Sequence, residues 1–598
     1  MENKTLNIDN FENKKNILRK LINSGINITP QLLDYILMLD NPMDIINQII
    51  KETSFIPSFK SHLTENFLKK IPNNEIKKSL ERILFKKEGY LIEDESNIKN
   101  IVNQNQSVSL NDIKKKTTTS LEKDKKTQER NFEFTRKTSL FEDHENKYFE
   151  KNSKNKERVK LIESAKSSFN FKPIAKEYSA QIKILKDPTR KIHTNGEYED
   201  FYDLTLDKFN RLKKLMRRKT EARSADNINN ILRLSSKVTV SLIGIVNEIR
   251  KTKNNNFILV LEDLTGLVNV IIRKDSENQE NIKIAERTLN DQVVYIEGTY
   301  NPGEKGKKGI IYCNYISKID IPKDYTPNTS PDPLSIVLVS DTHIGSKEFE
   351  EKLWNRFISF LKGKIGNKYQ REKSGRIKYI IINGDLVDGI GVYPNQISDL
   401  VISDIYDQFE KAKEILSEIP DHIKIIYSPG NHEPVRNALP RPAVPKKYSE
   451  SLLNIDVICI GNPSVVQTHN VNTIVYHGDS ILDLNQLIPG LDNNKPIDTM
   501  KELLKCRHLA PVYGGKTQIA PTKKDWLVID KIPDIFHTGH IHINGIGFYN
   551  NIALVNSGCF QSQTEFMNSL GIHPTPGILS IIELDTLKGT QLDLKISI

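Results

Sequence analysis

From about residue 333 onward the chain alternates short apolar runs with helical periodicity, and run after run ends on a side chain that can hold a metal. SIVLVSDTHIGS (335–346) leads into Asp341 and His343, and KYIIINGDLVDG ends on Asp385, with Asp388 beyond. IKIIYSPGNHEPV ends on Asn431 and His432, NTIVYHGDS on His477, and DIFHTGHIHING on His540 and His542. Strands alternating with helices predict an α/β domain, and in such sheets sites gather at the carboxyl ends of the strands. Each motif alone is weak; five in order, each after a strand, are not.

The donor chemistry narrows the reading. Imidazole and carboxylate without thiolate suit borderline divalent ions. Asp341, His343, Asp385, Asn431, His477, His540 and His542 are too many ligands for one ion and enough for two that share a carboxylate. Such a pair polarises a phosphoryl group, acidifies water and clamps the entering and leaving oxygens, so the expected reaction is phosphoester hydrolysis. Glycines beside Asp385, Asn431, His477 and His540 permit close backbone approach. His422, His469, His508, His537 and His573 lack that setting and read as structural.

Before residue 333 the pattern changes several times. Residues 1–90 carry helical spacing at Ile17, Leu18, Leu21 and Ile22, a stop at Gly25, and a helix start at Thr29 and Pro30. They predict a helical module, either for binding a partner or a plain bundle. Residues 91–170 lose apolar periodicity and predict a disordered linker. Residues 171–228 form a connecting helical or extended segment, whose basic cluster at Lys213–Lys219 fits phosphate contact or a solvated helix face. Residues 229–325 switch to a period of two and predict a β barrel of the OB type. Its candidate stacking aromatics are Phe257, Tyr295, Tyr300 and Tyr312, and it serves either as a single-strand grip or as an adaptor. Residues 333–598 form the α/β domain.

Composition bounds the rest. A chain of 598 residues exceeds one core and is expected to be multidomain. A net charge of +10 fits a polyanionic partner, and equally a Lys-rich composition. Cys313, Cys459, Cys506 and Cys559 are scattered, which argues against a zinc ribbon or a disulfide framework. The opening MENKTLNIDNFENKK lacks the apolar core of a signal peptide, and no run reaches the length of a membrane span. The expectation is a reducing, cytoplasmic protein with no membrane partner.

The ordered motifs resemble the calcineurin-like metallophosphoesterase superfamily over about 335–560. By that resemblance one metal is held by Asp341, His343, Asp385 and His542, the other by Asp385, Asn431, His477 and His540, with Asp385 bridging. His432 is then the general acid or phosphate-orienting group, and Asp388 the carboxylate that orients it. Two divalent ions are implied, Mn2+ first, with Fe, Zn and Mg compatible.

Flanking motifs narrow the family. SPGNHEPVRNALPRPAVPKKY, LLKCRHLAPVYGGKTQIAPTKKDWLVIDKIPDIFHTGHIHING and LVNSGCFQSQTEF resemble the small subunits of archaeal family D DNA polymerases, as does the order helical module, linker, OB barrel, phosphoesterase. The resemblance implies a 3′–5′ exonuclease that proofreads for a large polymerase subunit on single-stranded or frayed 3′ DNA ends. Arg436, Lys505, Arg507, His508 and Lys516 are candidate phosphate contacts, with an ordinary surface role as the alternative for each. Cys506 stands where the family tends to place a basic residue. Two other readings remain open: a non-catalytic assembly or DNA-binding subunit, and a phosphodiesterase for another substrate. No carboxylate pattern for polymerisation is visible, so synthesis is expected in a separate large subunit.

Overall fold

The computed structural model describes residues 171–596, apart from 275–278 and 304–307, together with scattered positions between 17 and 63. The linker expected over 91–170 lies outside the described residues, as do Leu18, Ile22, Gly25, Thr29 and Pro30. The chain divides into two compact units, Met1–Lys154 and Asn155–Ile598. In the first, a helix runs over Pro42–Ser54 with Asp44 in its first turn and Lys51 in its last, the polarity that the helix dipole favours. Ile17, Leu21, Ile26, Ile36, Ile46 and Ile49 are buried. The helical reading omitted a short parallel ladder between β1 (Asn27–Ile28) and β2 (His62–Leu63). Strands of two residues carry no periodicity to read.

The second unit begins with β3 (Ile182–Lys186) and a helix over Tyr198–Met216. A closed five-stranded barrel follows: β4 (Val238–Lys251), β5 (Phe257–Asp263), β6 (Gly266–Ile272), β7 (Val293–Asn301) and β8 (Ile310–Lys318), joined in the order β4-β5-β6-β8-β7. β5 alternates buried and half-buried positions along its length, as a barrel wall requires. The expected stacking aromatics mostly face inward. Phe257 and Tyr300 fill the barrel core, and Tyr295 is buried against the helix over Tyr198–Met216. Only Tyr312 is partly open, under the Arg273 guanidinium at 4.6 Å. The period-two pattern reveals a strand but not which of its faces is the inner one.

The remainder is a two-sheet sandwich. One six-stranded sheet has the order β12-β11-β10-β9-β18-β19, from β9 (Ser335–Val339), β10 (Ile377–Asn383), β11 (Lys424–Ser428), β12 (Ile458–Cys459), β18 (Ile578–Glu583) and β19 (Gly589–Asp593). The other has the order β16-β17-β15-β14-β13-β3, from β13 (Ser464–Thr468), β14 (Val471–Val475), β15 (Ile535–Thr538), β16 (Gly545–Tyr549), β17 (Ile552–Asn556) and the early β3. β3 pairs antiparallel with β13, so the segment expected to connect domains supplies an edge strand to this sheet.

Side-chain alternation explains the layering. Along β10, Tyr379 and Ile381 point between the sheets, where they meet Val466, Val475, Ile535 and Val555. Ile380 and Ile382 point outward to Trp354, Phe357 and Phe409 on helices Glu351–Leu361 and Ile405–Leu416. Covered on both faces, β10 reads as the nearly unbroken apolar run of a central strand. The other sheet is covered by helices Ser480–Leu487 and Pro496–Cys506 through Leu484, Met500 and Leu503. Among the described residues no helix is long and apolar enough to cross a membrane.

Barrel and sandwich are clamped by one buried carboxylate. Glu502 is 1% exposed and accepts from Arg287 at 2.9 Å, Lys318 at 3.3 Å and Lys505 at 2.8 Å. Lys318 is itself buried, so removing Glu502 strands a cation. Glu502→Ala is expected to cost about 3–5 kcal/mol. A denaturation midpoint unchanged in urea would contradict this.

Candidate metal centre

Both sheets deliver ligands to one edge. β9, β10 and β11 of one sheet and β14 and β15 of the other all end there. The chain turns sharply just past each strand. Asp341, His343, Asp385, His540 and His542 have φ of 53°, 52°, 51°, 71° and 58°. This left-handed conformation is uncommon outside glycine, and each instance costs about 1–3 kcal/mol, held by the surrounding structure. Gly430 is needed for space: a Cβ there would lie 2.3 Å from Asp385 Oδ1 and 2.7 Å from His477 Nε2.

Three groups of donors form among the described residues. The two principal ones are Asp341, His343 and His542, and Asp385, His477 and His540; the third, His343, Asp388 and His432, shares His343 with the first, and in each the ligand atoms lie within 4.8 Å of one another. His343 Nε2 and His542 Nε2 face each other at 3.2 Å, and His542 Nε2 lies 3.5 Å from Asp341 Oδ1. Around His477 Nε2 stand Asp385 Oδ2 at 3.2 Å, Asn431 Oδ1 at 3.2 Å and His540 Nδ1 at 3.3 Å. Asp385 Oδ2 also lies 3.8 Å from His343 Nε2, so one carboxylate borders both principal groups.

Two of the outer nitrogens are tied off, while His542 Nδ1 is buried without a hydrogen-bond partner. His343 Nδ1 meets Asp388 Oδ1 at 2.9 Å and His477 Nδ1 meets the Asn383 carbonyl at 2.8 Å. In the neutral rings this places N–H outward and a lone pair inward, as metal-ligating imidazoles require. Inward lone pairs packed against carboxylate oxygens repel unless a cation lies among them. The donor set could hold metal ions.

Protonation tells the same story. Burial, with Asp385 nearby, raises Asp341 to about 7, while His477 and His432 outweigh burial and hold Asp385 well below the usual carboxylate range. Burial opposes charge on His343 and His477, yet Asp388 lifts the first to about 8 and Asp385 the second to about 10. Burial pushes His540 down to about 4 and His542 well below its ordinary value. Protons on His343 and His477 thus neutralise the cluster when no metal does.

Residues 336–543, which span these strand ends, match the family described as the DNA polymerase alpha/epsilon B-subunits. The chain is 39% identical over 431 residues to the DNA polymerase II small subunit of Methanocaldococcus jannaschii, covering 71% of each chain. The Pyrococcus furiosus small subunit is 38% identical over 432 residues, covering 70% of this chain and 69% of that one. The Archaeoglobus fulgidus small subunit is 40% identical over 400 residues, covering 67% and 78%. The chain belongs to the family of archaeal DNA polymerase II small subunits.

Within this family member, some residues expected at the site take different places. Asp388 was expected to hold His432 with its carboxylate. That carboxylate instead meets His343, and His432 Nδ1 is 3.9 Å from it but 2.6 Å from the Asp388 backbone carbonyl. Two of the candidate phosphate contacts are internal. Arg507 is buried, donating to the Ile529 and Asp530 carbonyls at 3.0 Å each, and His508 is buried against Asp525 at 2.8 Å. Lys505 is engaged by Glu502, and half-buried Arg436 donates to the Pro440 carbonyl at 2.8 Å. Lys516 is exposed. Cys506 is buried, so its side chain faces protein. In the basic cluster Lys219 donates to the Lys318 carbonyl at 2.7 Å and Lys213 to Asn227 at 3.3 Å.

Sequence reasoning missed two supports. Glu433, 3% exposed, accepts from the backbone N–H groups of Asp385, Leu386 and Gly430 and from the Tyr427 hydroxyl, lashing two ligand loops together. A charged residue directly after GNH was the available signal. Arg441 and Asp479 form a buried ion pair beside His477, and the HGD motif already contained its acid.

Metal binding must displace the protons on His343 and His477. Below pH about 8 both are present, and below about 7 Asp341 adds a third, so affinity is expected to weaken as pH falls, about tenfold per pH unit for each proton displaced. Titration calorimetry of Mn2+ between pH 6 and 8, in buffers of different ionisation enthalpy, counts those protons; a pH-independent affinity would contradict the assignment.

Proposed function

We propose that this chain is the small subunit of a heteromeric replicative DNA polymerase and carries a two-metal 3′–5′ exonuclease of the calcineurin-like type. The observation that carries the reading is Asp385, a buried carboxylate bordering two groups of metal-capable donors. Asp341, His343, Asp385 and His542 would hold one ion, and Asp385, Asn431, His477 and His540 the other. Bound there, two divalent ions supply Lewis acidity to the phosphoryl group and activate water. A small subunit implies a large one, and synthesis is assigned to that partner.

Hydrolysis joins a water oxygen to the terminal phosphorus and breaks its bond to the 3′ oxygen of the preceding nucleotide. The departing oxygen needs a proton, and this reading assigns its donation to His432. Its Nδ1 is fixed by the Asp388 carbonyl at 2.6 Å, and its Nε2 sits 4.0 Å from Asp385 Oδ2 at the centre of the site. Burial lowers its pKa, and a bound phosphodiester anion raises it toward the protonated form. Mispaired ends melt more easily than paired ones, so preference for errors needs no reading of the base.

Digestion of a 5′-labelled single strand in Mn2+, with and without the large subunit, tests the reading. Stepwise shortening from the 3′ end is expected, and Asp385→Ala abolishes it. Persistent absence of shortening in both forms would leave an assembly subunit. His432→Ala is expected to retain both metals and lose about 10²–10⁴-fold in rate. Loss of metal in that variant would contradict the role.

A further inference from the structure

Beside the metal centre runs the segment 389–401, and its outer surface is unusual for a solvent-facing loop. Ile390, Val392, Ile397 and Val401 are 45%, 37%, 63% and 72% exposed. The loop is not loosely held. Buried Gln396 donates to the Asp388 carbonyl and to Asp388 Oδ2, both at 2.8 Å, and accepts from the Val392 N–H at 2.9 Å. Buried Gln408 accepts from the Gly389 N–H at 2.9 Å and donates to the Ile402 carbonyl at 2.8 Å. The Val401 N–H donates to the Gly345 carbonyl at 2.7 Å. Gln396 and Gln408 therefore tie the segment inward to the ligand loops, and Ile390, Val392, Ile397 and Val401 turn out beside the exposed Asn395, Ser398 and Asp399.

The position relative to the chemistry is close. A Cβ on Gly389 would meet the His432 carbonyl oxygen at 2.1 Å and Val392 Cγ2 at 3.2 Å, so Val392 and His432 flank the same glycine. Asp388, which anchors the loop, also holds His343 by its carboxylate and His432 by its carbonyl. Asp399 is the only charged side chain in the segment, and it is bonded to the Tyr393 hydroxyl at 3.1 Å. One cation touches the segment, Lys347, whose Nζ donates to the Ser398 carbonyl at 2.6 Å at the end away from Val392 in sequence. Flat apolar faces are what the aliphatic surface fits.

We infer that segment 389–401 is a substrate lip, on which Val392, Ile397 and Val401 pack against the bases of an unpaired 3′ strand and so position its terminal phosphate. The inference rests on the nuclease reading above. Aliphatic contact is indifferent to base identity, as a proofreading site requires. Base faces are hidden in a duplex stack and open in a frayed end, and apolar side chains inserted beside bases are an established way to hold unstacked steps.

The test uses the full chain with its large subunit and the variants Val392→Ser and Ile397→Ser/Val401→Ser. Leu264→Ser, at an equally exposed site on the barrel, is the control. Binding of a labelled phosphorothioate single strand is followed by anisotropy in Ca2+. Cleavage of the same sequence with ordinary linkages is compared with that of bis(p-nitrophenyl) phosphate in Mn2+. The lip variants are expected to weaken strand binding and lower the DNA-to-aryl cleavage ratio, each by about tenfold, the scale of lost apolar contact in a binding site. Leu264→Ser does neither. Strand binding that is unchanged in the lip variants overturns the inference, and if the large subunit then fails to co-purify, the surface is a subunit interface. If the wild type cleaves neither substrate while the lip variants still weaken strand binding, the nuclease reading fails and the lip stands.

Discussion

A carboxylate buried among imidazoles needs positive charge, and Asp385 draws it from both principal donor groups. It is 2% exposed, borders both donor groups, and accepts the backbone N–H of His432 at 3.0 Å. Its near neighbours are the imidazoles of His343, His432 and His477, and the one permanent cation that acts on it among the described residues, Arg441, is already paired with Asp479. Much of the surrounding structure holds this arrangement in place. Glu433 fixes the backbone on either side of it, Asp388 and Asn383 set the imidazole tautomers, and five left-handed residues turn their side chains onto one edge.

The sandwich makes such strain tolerable. Two sheets share an apolar interior and are each covered by helices on the outside, so the strand ends are rigid and their loops inherit that rigidity. Donors from different sheets then meet at a few ångströms. The barrel is joined to this frame by Glu502, and β3 joins from a segment far earlier in the chain.

Much of the site was legible in the sequence because its signal is local. An apolar strand, a glycine and a metal-capable residue lie next to one another in the chain, so Asp385, Asn431 and His477 could be picked out one motif at a time. What was not legible depends on direction or on distant pairing. Membership of two sheets rather than one is a matter of long-range pairing, which periodicity does not encode. The same limit concealed that Asp388 turns its carboxylate to His343 and only its carbonyl to His432. Arg507 and His508 sit in a basic stretch that reads as surface, yet Arg507 is drawn in by backbone carbonyls and His508 by Asp525. Tyr295 and Tyr300 sit on strands whose inner face only the closed barrel defines.

In the proposed site Asp385 would join two metal ions into one unit. Electron paramagnetic resonance of the chain loaded with two equivalents of Mn2+ tests it directly. An exchange-coupled pair is expected, converted to uncoupled Mn2+ in Asp385→Asn. A wild-type spectrum of isolated Mn2+ alone, or saturation at one ion per chain, would contradict it.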